Sequence, residues 1–306
     1  MTARPEDHVL AWLLEKEEPS IRYLASRDLI VPRPSGRTLR DLRAKVTEGG
    51  WAKSILSRQK EKTWWATDKT CYGPKFKSTI WQLQVLADLG ASRKNERISN
   101  AVEFWFSLHH ARDGGYCPGL SRSKGHLCTT GNMARSLIRL GYLKDERVES
   151  AIEWLVDRQE KDGGWDCFGR QRGTIDGWEA MSALAELPQD RRSGDVRNAI
   201  EAGAEFFLAR KLLHEGRPYA QWYMLRYPWH YYYDVLAGLD FMTALGYGGD
   251  PRMREALSHL KSKRLADGRW ALDGSNGDLR LETSHRPSKM VTFLALRVLK
   301  RVRDSA

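Results

Sequence analysis

The chain has 306 residues, of which 41% are hydrophobic and 29% are charged, a balance typical of soluble globular proteins. It has no run of about 18 apolar residues, so no membrane span is predicted, and the charges that flank its first apolar stretch argue against a signal peptide. Four cysteines are too few for a disulfide scaffold, so we predict a cytoplasmic protein. The net charge of +11 favours anionic partners such as phosphates, nucleic acid or acidic lipid.

Helical periodicity runs along the whole chain, and strand-like alternation is rare. In residues 145–159, for example, Val148, Ile152 and Leu155 recur at three- and four-residue steps, and Asp145 is a plausible N-cap. Two series of helices alternate. The first series is expected at residues 20–31, 78–89, 130–140, 175–187, 231–245 and 288–302. The second series is expected at residues 6–16, 39–59, 95–110, 145–160, 195–210 and 250–264.

A loop of acid, two glycines and an aromatic residue recurs with a period near fifty residues. It reads RQEKDGGWDC at 158–167 and HHARDGGYC at 109–117, and the helices before each turn end alike in LADLGA, LIRLGY and MTALGY. A repeat unit cannot bury its apolar face alone, so neighbouring helix pairs must stack. Six pairs can close into a ring of inner and outer helices. No Pro/Gly/Ser-rich linker divides the chain, which predicts a single domain over residues 1–306.

The stretch QEKDGGW resembles the Gln-to-Trp repeat of squalene and terpenoid cyclases. Over nearly its full length the chain resembles the bacterial prenyltransferase and squalene oxidase repeat proteins, for instance in CTTGNMARSLIRLGYLKDERV (128–148). This resemblance to the terpenoid cyclase and protein prenyltransferase superfamily implies an all-α fold, an (α/α)₆ toroid with a central cavity. It says little about activity, because the superfamily includes cyclases, protein prenyltransferases and members without a known reaction.

In such a ring the inner helices are parallel, so their positive N-terminal ends meet at one mouth of the cavity. The loops at this mouth are basic, which predicts a site for an anion such as a diphosphate, with Arg172 and Lys289 among its ligands. The alternative is a solvated basic surface. The basic residues of these loops are Lys69, Lys75, Lys77, Arg122, Lys124, Arg170, Arg172, Arg226, Arg286 and Lys289.

The cysteines fall in these mouth loops or at the start of an inner helix, and none lies in the body of a helix. Cys117, His126, Cys128 and Cys167 could form a Cys₃His zinc site, or three of them with a water could form an open, catalytic-type site. Protein prenyltransferases are similar in placing Asp, Cys and His at inner-helix starts, but their Asp-x-Cys pattern is absent here. The alternative is a set of free thiols packed under the loops.

Two acid motifs of isoprenoid enzymes, Asp-x-Asp-Asp and Asp-Asp-x-x-Asp, are absent from the sequence. A protonating cyclase would therefore need another acid, and Asp176 and Asp234 at inner-helix starts are the candidates if burial raises their pKa. The alternative role for both is helix N-capping. Asp234 is the stronger catalytic candidate, because it follows an aromatic run.

Aromatic residues are predicted to contact the substrate. Trp81, Trp178 and Tyr233 on inner helices, with Trp229, His230 and Tyr231 at the mouth, could bind a polyprenyl chain or stabilise a cation. The opposite expectation applies to the outer and loop tryptophans, which are predicted to pack the core. These structural tryptophans are Trp105, Trp154, Trp165 and Trp270.

Three classes of function stay open. The leading hypothesis is a toroid that binds or transforms an amphiphilic, anionic isoprenoid. The second is a non-catalytic binding or scaffold protein of the same fold, with a protein partner. The third is a carbohydrate-active (α/α)₆ enzyme that uses a carboxylate pair. Contact with a membrane surface stays open, whereas no motif for specific nucleic-acid binding accompanies the positive charge.

Overall fold

The computed structural model describes residues 5–167, 177–192, 194–213, 219–230, 232–275 and 280–305. The regular structure of these residues is helical, with isolated bridges but no strands. The α-helices are α1 (Pro5–Leu13), α2 (Pro19–Asp28), α3 (Gly36–Ala44), α4 (Gly50–Ser57), α5 (Thr79–Asp88), α6 (Glu96–His109), α7 (Leu127–Leu140), α8 (Glu146–Asp157), α9 (Trp178–Ala185), α10 (Gly194–Ala209), α11 (Val235–Ala244), α12 (Arg254–Ser262) and α13 (Lys289–Asp304).

Six of these helices, α2, α5, α7, α9, α11 and α13, form an inner ring. Consecutive members from α5 to α13 pack against one another, and α13 returns to pack against α2. Inner helices are buried nearly all round, as in α11, where every residue from Val235 to Thr243 is buried. The other helices lie outside and mostly bury one stripe, as α8 does with Val148, Ile152 and Leu155. The predicted (α/α)₆ toroid is confirmed.

One outer helix differs from its prediction. The helix expected over residues 39–59 is divided into α3 and α4, because Gly50 adopts a φ of +56° and the carboxylate of Glu18 occupies the space beside it. A Cβ at Gly50 would lie 2.5 Å from that carboxylate. Glu18 accepts hydrogen bonds from the backbone N–H groups of Ser20 and Trp51, so one buried carboxylate caps the starts of both α2 and α4.

The glycine-aromatic loops are architectural, as predicted for Trp165 and Trp270. The indole Nε1 of Trp165 donates to the carbonyl oxygen of Leu155 at 2.8 Å, ten residues back in α8. Trp270 makes the same bond to Leu260 in α12, also at 2.8 Å. In the RQEKDGGWDC loop, Gly163 takes the left-handed backbone that the tight turn needs (φ +85°). Each tryptophan thus fastens a loop over the end of an outer helix.

Ion pairs join the inner helices near their C-terminal ends. Arg139 of α7 donates to Asp88 of α5 and to Glu186 beyond α9. Arg297 of α13 pairs with Asp240 of α11 and with Asp28 of α2. These contacts hold neighbouring inner helices in register around the ring. Within the described residues, no helix combines the length and apolar character needed to span a membrane.

Candidate metal centre at the barrel mouth

The loop before α7 fixes His126 and Cys128 at the start of an inner helix. The backbone N–H of His126 donates to the carbonyl of Tyr116 at 2.8 Å, and the N–H of Tyr116 donates to Oγ1 of Thr130 at 2.9 Å. His126 is the N-cap of α7 and Cys128 lies in its first turn. Their two-residue spacing across the helix start directs both side chains toward the same point.

Cys167 reaches this point from the next repeat, two residues beyond the anchored Trp165. Its Sγ lies 3.9 Å from Nδ1 of His126, and Sγ of Cys128 lies 3.3 Å from the same nitrogen. The three ligand atoms lie within 4.8 Å of one another, and all three residues are half-buried. The structure therefore brings together one imidazole and two thiols at the N-terminal end of α7.

The electrostatics of the group favour one thiolate. The thiol of Cys128 and the imidazole of His126 stabilise the charged form of Cys167, which lowers the pKa of Cys167 to about 5 despite its partial burial. The hydrogen bond to Cys167, burial and the nearby Glu179 raise the pKa of Cys128 far above its ordinary value. The bond to Cys167 also raises the pKa of His126. At neutral pH the group holds the thiolate of Cys167 beside the protonated thiol of Cys128.

This donor set fits zinc. Two sulfurs and one imidazole nitrogen are ligands that Zn²⁺ prefers, and Zn–S and Zn–N bonds of about 2.3 and 2.1 Å place neighbouring ligands roughly 3.5–4 Å apart. Of the two separations around Nδ1 of His126, 3.9 Å to Cys167 falls within that range and 3.3 Å to Cys128 lies just below it. Three protein ligands would leave a fourth position of a tetrahedral site for a water or a substrate atom.

Cys117, the fourth predicted ligand, does not lie in this group. Its Sγ donates to the carbonyl oxygen of Gly119 at 3.0 Å, and burial raises its pKa. Cys71 is fully buried, and burial raises its pKa to about 12. Of the two arrangements considered from the sequence, the described residues form the three-ligand one. Metal binding itself stays a prediction.

Aromatic side chains fill part of the barrel beside this end. The ring of Trp81 meets the rings of Phe76 and His230 at centroid distances of 5.2 Å each. Nδ1 of His230 lies 3.2 Å from Oε1 of Gln84, and burial, with Arg135 nearby, lowers the pKa of His230 to about 3. This imidazole is neutral at physiological pH and behaves as a polar aromatic wall.

The remaining predicted aromatic contacts form a second cluster. Trp178 meets Trp229 and Tyr233 at centroid distances of 6.4 Å each. The hydroxyl of Tyr233 donates to the carbonyl of Leu212 at 2.8 Å, so its polar end faces away from the inner ring. All three side chains are buried. They provide the apolar surface that the sequence predicts, and substrate contact stays a prediction.

Asp234 is the N-cap of α11, the alternative role considered for it. Its Oδ1 accepts from the N–H of Ala237 at 2.8 Å, and its Oδ2 accepts from the N–H of Arg226 and from Nε1 of Trp229. Burial raises the pKa of Asp234 to about 7, although these hydrogen bonds act in the opposite direction. Both oxygens face protein donors, so the geometry suits a structural carboxylate better than a proton donor to a substrate.

Lys289 is also engaged within the protein. Its Nζ donates to the carbonyl of Trp12 at 2.8 Å and to Glu15 at 2.6 Å, which ties α13 to the outer layer instead of placing a free cation over the mouth. The predicted residues Asp176, Arg172 and Tyr231 lie outside the described residues, as does Arg170.

Two residues near this end were not predicted. Phe76 packs on Trp81 and His230, and Gln84 contacts His230 from a fully buried part of α5. A signal for Gln84 exists in the sequence, because Gln82 and Gln84 interrupt an otherwise apolar inner helix. Phe76 gives no such signal. It depends on the path of its loop, in which it adopts a φ of +63°.

Comparison with known proteins supports the fold. A variant of the type II terpene cyclase MstE from Scytonema, in complex with merosterolic acid A (product), matches with a TM-score of 0.51 at 15% identity, covering 99% of this chain and 97% of that chain. A protein from Actinoplanes matches at 17% identity and 98% coverage of both chains, with a TM-score of 0.49. A possible member of the GH105 family from Salmonella enterica matches at 12% identity, covering 94% and 82%, with a TM-score of 0.48.

No protein-family model and no curated protein sequence matches the chain. The likeness to the MstE variant therefore defines the class of architecture, a terpene cyclase-like helical toroid. At this level of identity it shows the fold alone.

Proposed function

We propose that the protein is a zinc-dependent enzyme of the prenyltransferase type that acts on an amphiphilic isoprenoid diphosphate. The observation that carries the proposal is the convergence of His126, Cys128 and Cys167 within 4.8 Å at the start of an inner helix. A bound zinc would lower the pKa of an acceptor thiol or hydroxyl in its fourth position. The reaction would form a bond from this acceptor to the prenyl carbon and release inorganic diphosphate and the acceptor's proton.

The residues of the chain would divide this work. Cys128, Cys167 and His126 would hold the metal at the mouth, and the metal would hold the acceptor. The aromatic cluster around Trp81 would pack against the hydrocarbon chain and exclude water from it. The N-terminal ends of the inner helices and the basic loops face the diphosphate.

Prenyl transfer is favoured over proton-initiated cyclisation by the environment of Asp234. A general acid must direct its proton at the substrate, whereas both oxygens of Asp234 accept hydrogen bonds from protein groups. Among the described residues, the cluster of His126, Cys128 and Cys167, with its one thiolate, is better suited to a chemical step than Asp234 is.

Metal analysis tests the first half of the proposal. Protein purified without added metal is expected to contain about one equivalent of zinc, and Cys128→Ser and Cys167→Ser are expected to lose most of it. Cys117→Ser is the matched control, because the thiol of Cys117 donates to the carbonyl oxygen of Gly119 and lies outside the group of three ligands. Absence of zinc from the wild type after reconstitution with zinc would refute the metal centre.

Turnover tests the second half. With geranylgeranyl diphosphate and a small thiol, the zinc-loaded protein is expected to release inorganic diphosphate and form a thioether. An isomeric product without diphosphate release would identify a cyclase, and binding without turnover would identify the non-catalytic alternative. Tryptophan fluorescence with geranylgeraniol, which lacks the anionic group, measures binding of the hydrocarbon chain separately.

A further inference from the structure

A cavity opens at the end of the barrel opposite the thiol centre, where the inner helices finish. It has a volume of about 360 Å³ and is lined by all six inner helices. This volume lies at the lower end of the range for small-molecule sites, about 300–1,000 Å³. The lining contains six arginines, Arg27, Arg43, Arg135, Arg139, Arg297 and Arg301. It contains four carboxylates, Asp28, Asp88, Glu186 and Asp240.

Most of these arginines have structural partners. Arg297 forms a two-bond pair with Asp240, and Arg139 bridges Asp88 and Glu186. Arg27 forms a two-bond pair with Asp28. Arg43 donates to the carbonyl oxygens of Gly90, Ala91 and Arg139, which cap the ends of inner helices. These residues neutralise the carboxylates and the negative helix ends.

Arg135 is different, because it is buried and poorly paired. Its side chain is 2% exposed, and its Nη2 lies 3.3 and 3.4 Å from the oxygens of Asp88, which already accepts from Arg139. Its Nε has no hydrogen-bond partner among the described residues. Its guanidinium carbon lies 5.8 and 5.9 Å from the ring centroids of Trp178 and Trp229.

The dipole of α7 does not stabilise the buried positive charge of Arg135. The effect of a helix end on a cation is largest within the last turn. Arg135 lies five residues before Leu140, where α7 ends, and so projects into the barrel one turn deeper than Arg139. A buried guanidinium without full pairing costs free energy unless a partner satisfies it. Among the described groups, Asp88 satisfies Arg135 only in part, and Nε of Arg135 has no hydrogen-bond partner.

We propose that this cavity binds a small organic oxyanion, a carboxylate or a phosphate ester, with Arg135 as its principal ligand. The guanidinium donates to the oxyanion, and the faces of Trp178 and Trp229 pack beside it at the floor. The ligand reaches the floor from solvent between Arg27 and Arg301, whose side chains are 33% and 31% exposed. This site is separate from the thiol centre and does not depend on it.

The test measures anion-dependent stability and binding. Inorganic phosphate and benzoate, each at constant ionic strength set with chloride, are added to the wild type and to Arg135→Met. A saturable rise in Tm with one or both anions is expected for the wild type, and calorimetry gives the Kd. Phosphate alone would assign a phosphate-type ligand and benzoate alone a carboxylate. The Kd is expected to rise at least about tenfold in Arg135→Met, since a hydrogen bond to a charged group is lost.

A second readout separates binding from structure. Without added anion, Arg135→Met is expected to be at least as stable as the wild type, because an apolar side chain of similar length replaces a poorly paired buried charge. Arg93→Met, a surface arginine over Tyr142, controls for general anion effects and is expected to respond like the wild type. Equal anion responses in the wild type and Arg135→Met would overturn the proposal. The proposal would also be overturned by two results together: a large loss of stability in Arg135→Met without added anion, and no rise in the Tm of the wild type with either anion.

Discussion

Arg297 and Asp240 form a two-bond ion pair inside the barrel, with Nε to Oδ1 at 3.0 Å and Nη2 to Oδ2 at 2.7 Å. Both side chains are 8% exposed. The same guanidinium reaches Asp28 at 3.3 Å, so one residue of the last helix joins α11 to α2. The pair is thus a buried contact that links inner helices of the ring, and not a surface ion pair.

Replacing Arg297 by methionine is therefore expected to be costly. The change leaves the buried carboxylate of Asp240 and the half-buried carboxylate of Asp28 without this partner. Removal of one member of a buried pair costs about 3–5 kcal/mol of unfolding free energy. Arg252→Met is the matched control, because its partner Glu205 is 64% exposed and the loss should stay below about 1 kcal/mol. Urea unfolding of both variants measures the difference, and equal costs would contradict a special role for Arg297.

The same cluster predicts sensitivity to acid. Burial tends to raise the pKa of Asp28 and Asp240, but the neighbouring arginines outweigh it and hold both values below the ordinary range. A depressed carboxylate pKa stabilises the fold above the unfolded-state pKa, near 4, and this stabilisation is lost as the pH falls below that value. Stability is expected to fall between pH 5 and pH 3. The fall should be smaller in Arg297→Met, and an unchanged pH dependence in that variant would count against the assignment.

Cys167 is expected to be the most reactive thiol of the metal-free protein. Its pKa of about 5 means that the thiolate dominates above pH 6, so its alkylation by iodoacetamide should change little from pH 6 to 8. An ordinary thiol speeds up about tenfold per pH unit over that range. Mass spectrometry of alkylated peptides resolves the four cysteines. Cys128→Ala is expected to shift the pH dependence of Cys167 toward that of an ordinary thiol, because the largest stabilising contact is lost while His126 remains. Bound zinc is expected to protect Cys167 from alkylation.

Trp165 is expected to matter for stability and not for metal binding. Trp165→Phe removes the bond to the carbonyl of Leu155 and leaves a small cavity, which together should cost about 2–4 kcal/mol. Trp270→Phe is the matched comparison in another repeat, since it loses the same bond to Leu260. Zinc content per folded molecule should equal that of the wild type in both. Selective loss of zinc from Trp165→Phe would show that the anchor also positions Cys167.

The fold was predictable because the repeat appears in several independent features of the sequence. The DGG loops, the Leu-Gly helix ends and the helical periods agree on paired helices about fifty residues apart. The thiol centre was only partly predictable. Cys117 directly follows its loop aromatic, Tyr116, whereas Cys167 stands two residues after Trp165. In an extended segment a shift by one residue reverses the side-chain direction, so these cysteines point to different places.

The charged end of the barrel was missed although its signal is present. Four inner helices end at or just before a leucine, and the residue directly before that leucine is charged in each. These charged residues are Asp28, Asp88, Arg139 and Glu186. Acid and base at equivalent positions of a ring can pair across neighbouring helices. The sequence does not reveal which carboxylate each arginine reaches, and Arg135 lies outside this repeated position. Its environment depends on packing among three inner segments.

The closure of the ring also changes how the molecule can come apart. Lys289 bonds to the carbonyl of Trp12 across 277 positions, and His8 contacts the carbonyl of Asp267 across 259. An open array of helix pairs has two terminal units that can peel away one after another. Among the described residues, α1 contacts the start of α13 and the loop after α12, so neither terminal helix pair can detach without breaking contacts with the other. Pulling or digestion should therefore disrupt the ring in one cooperative event.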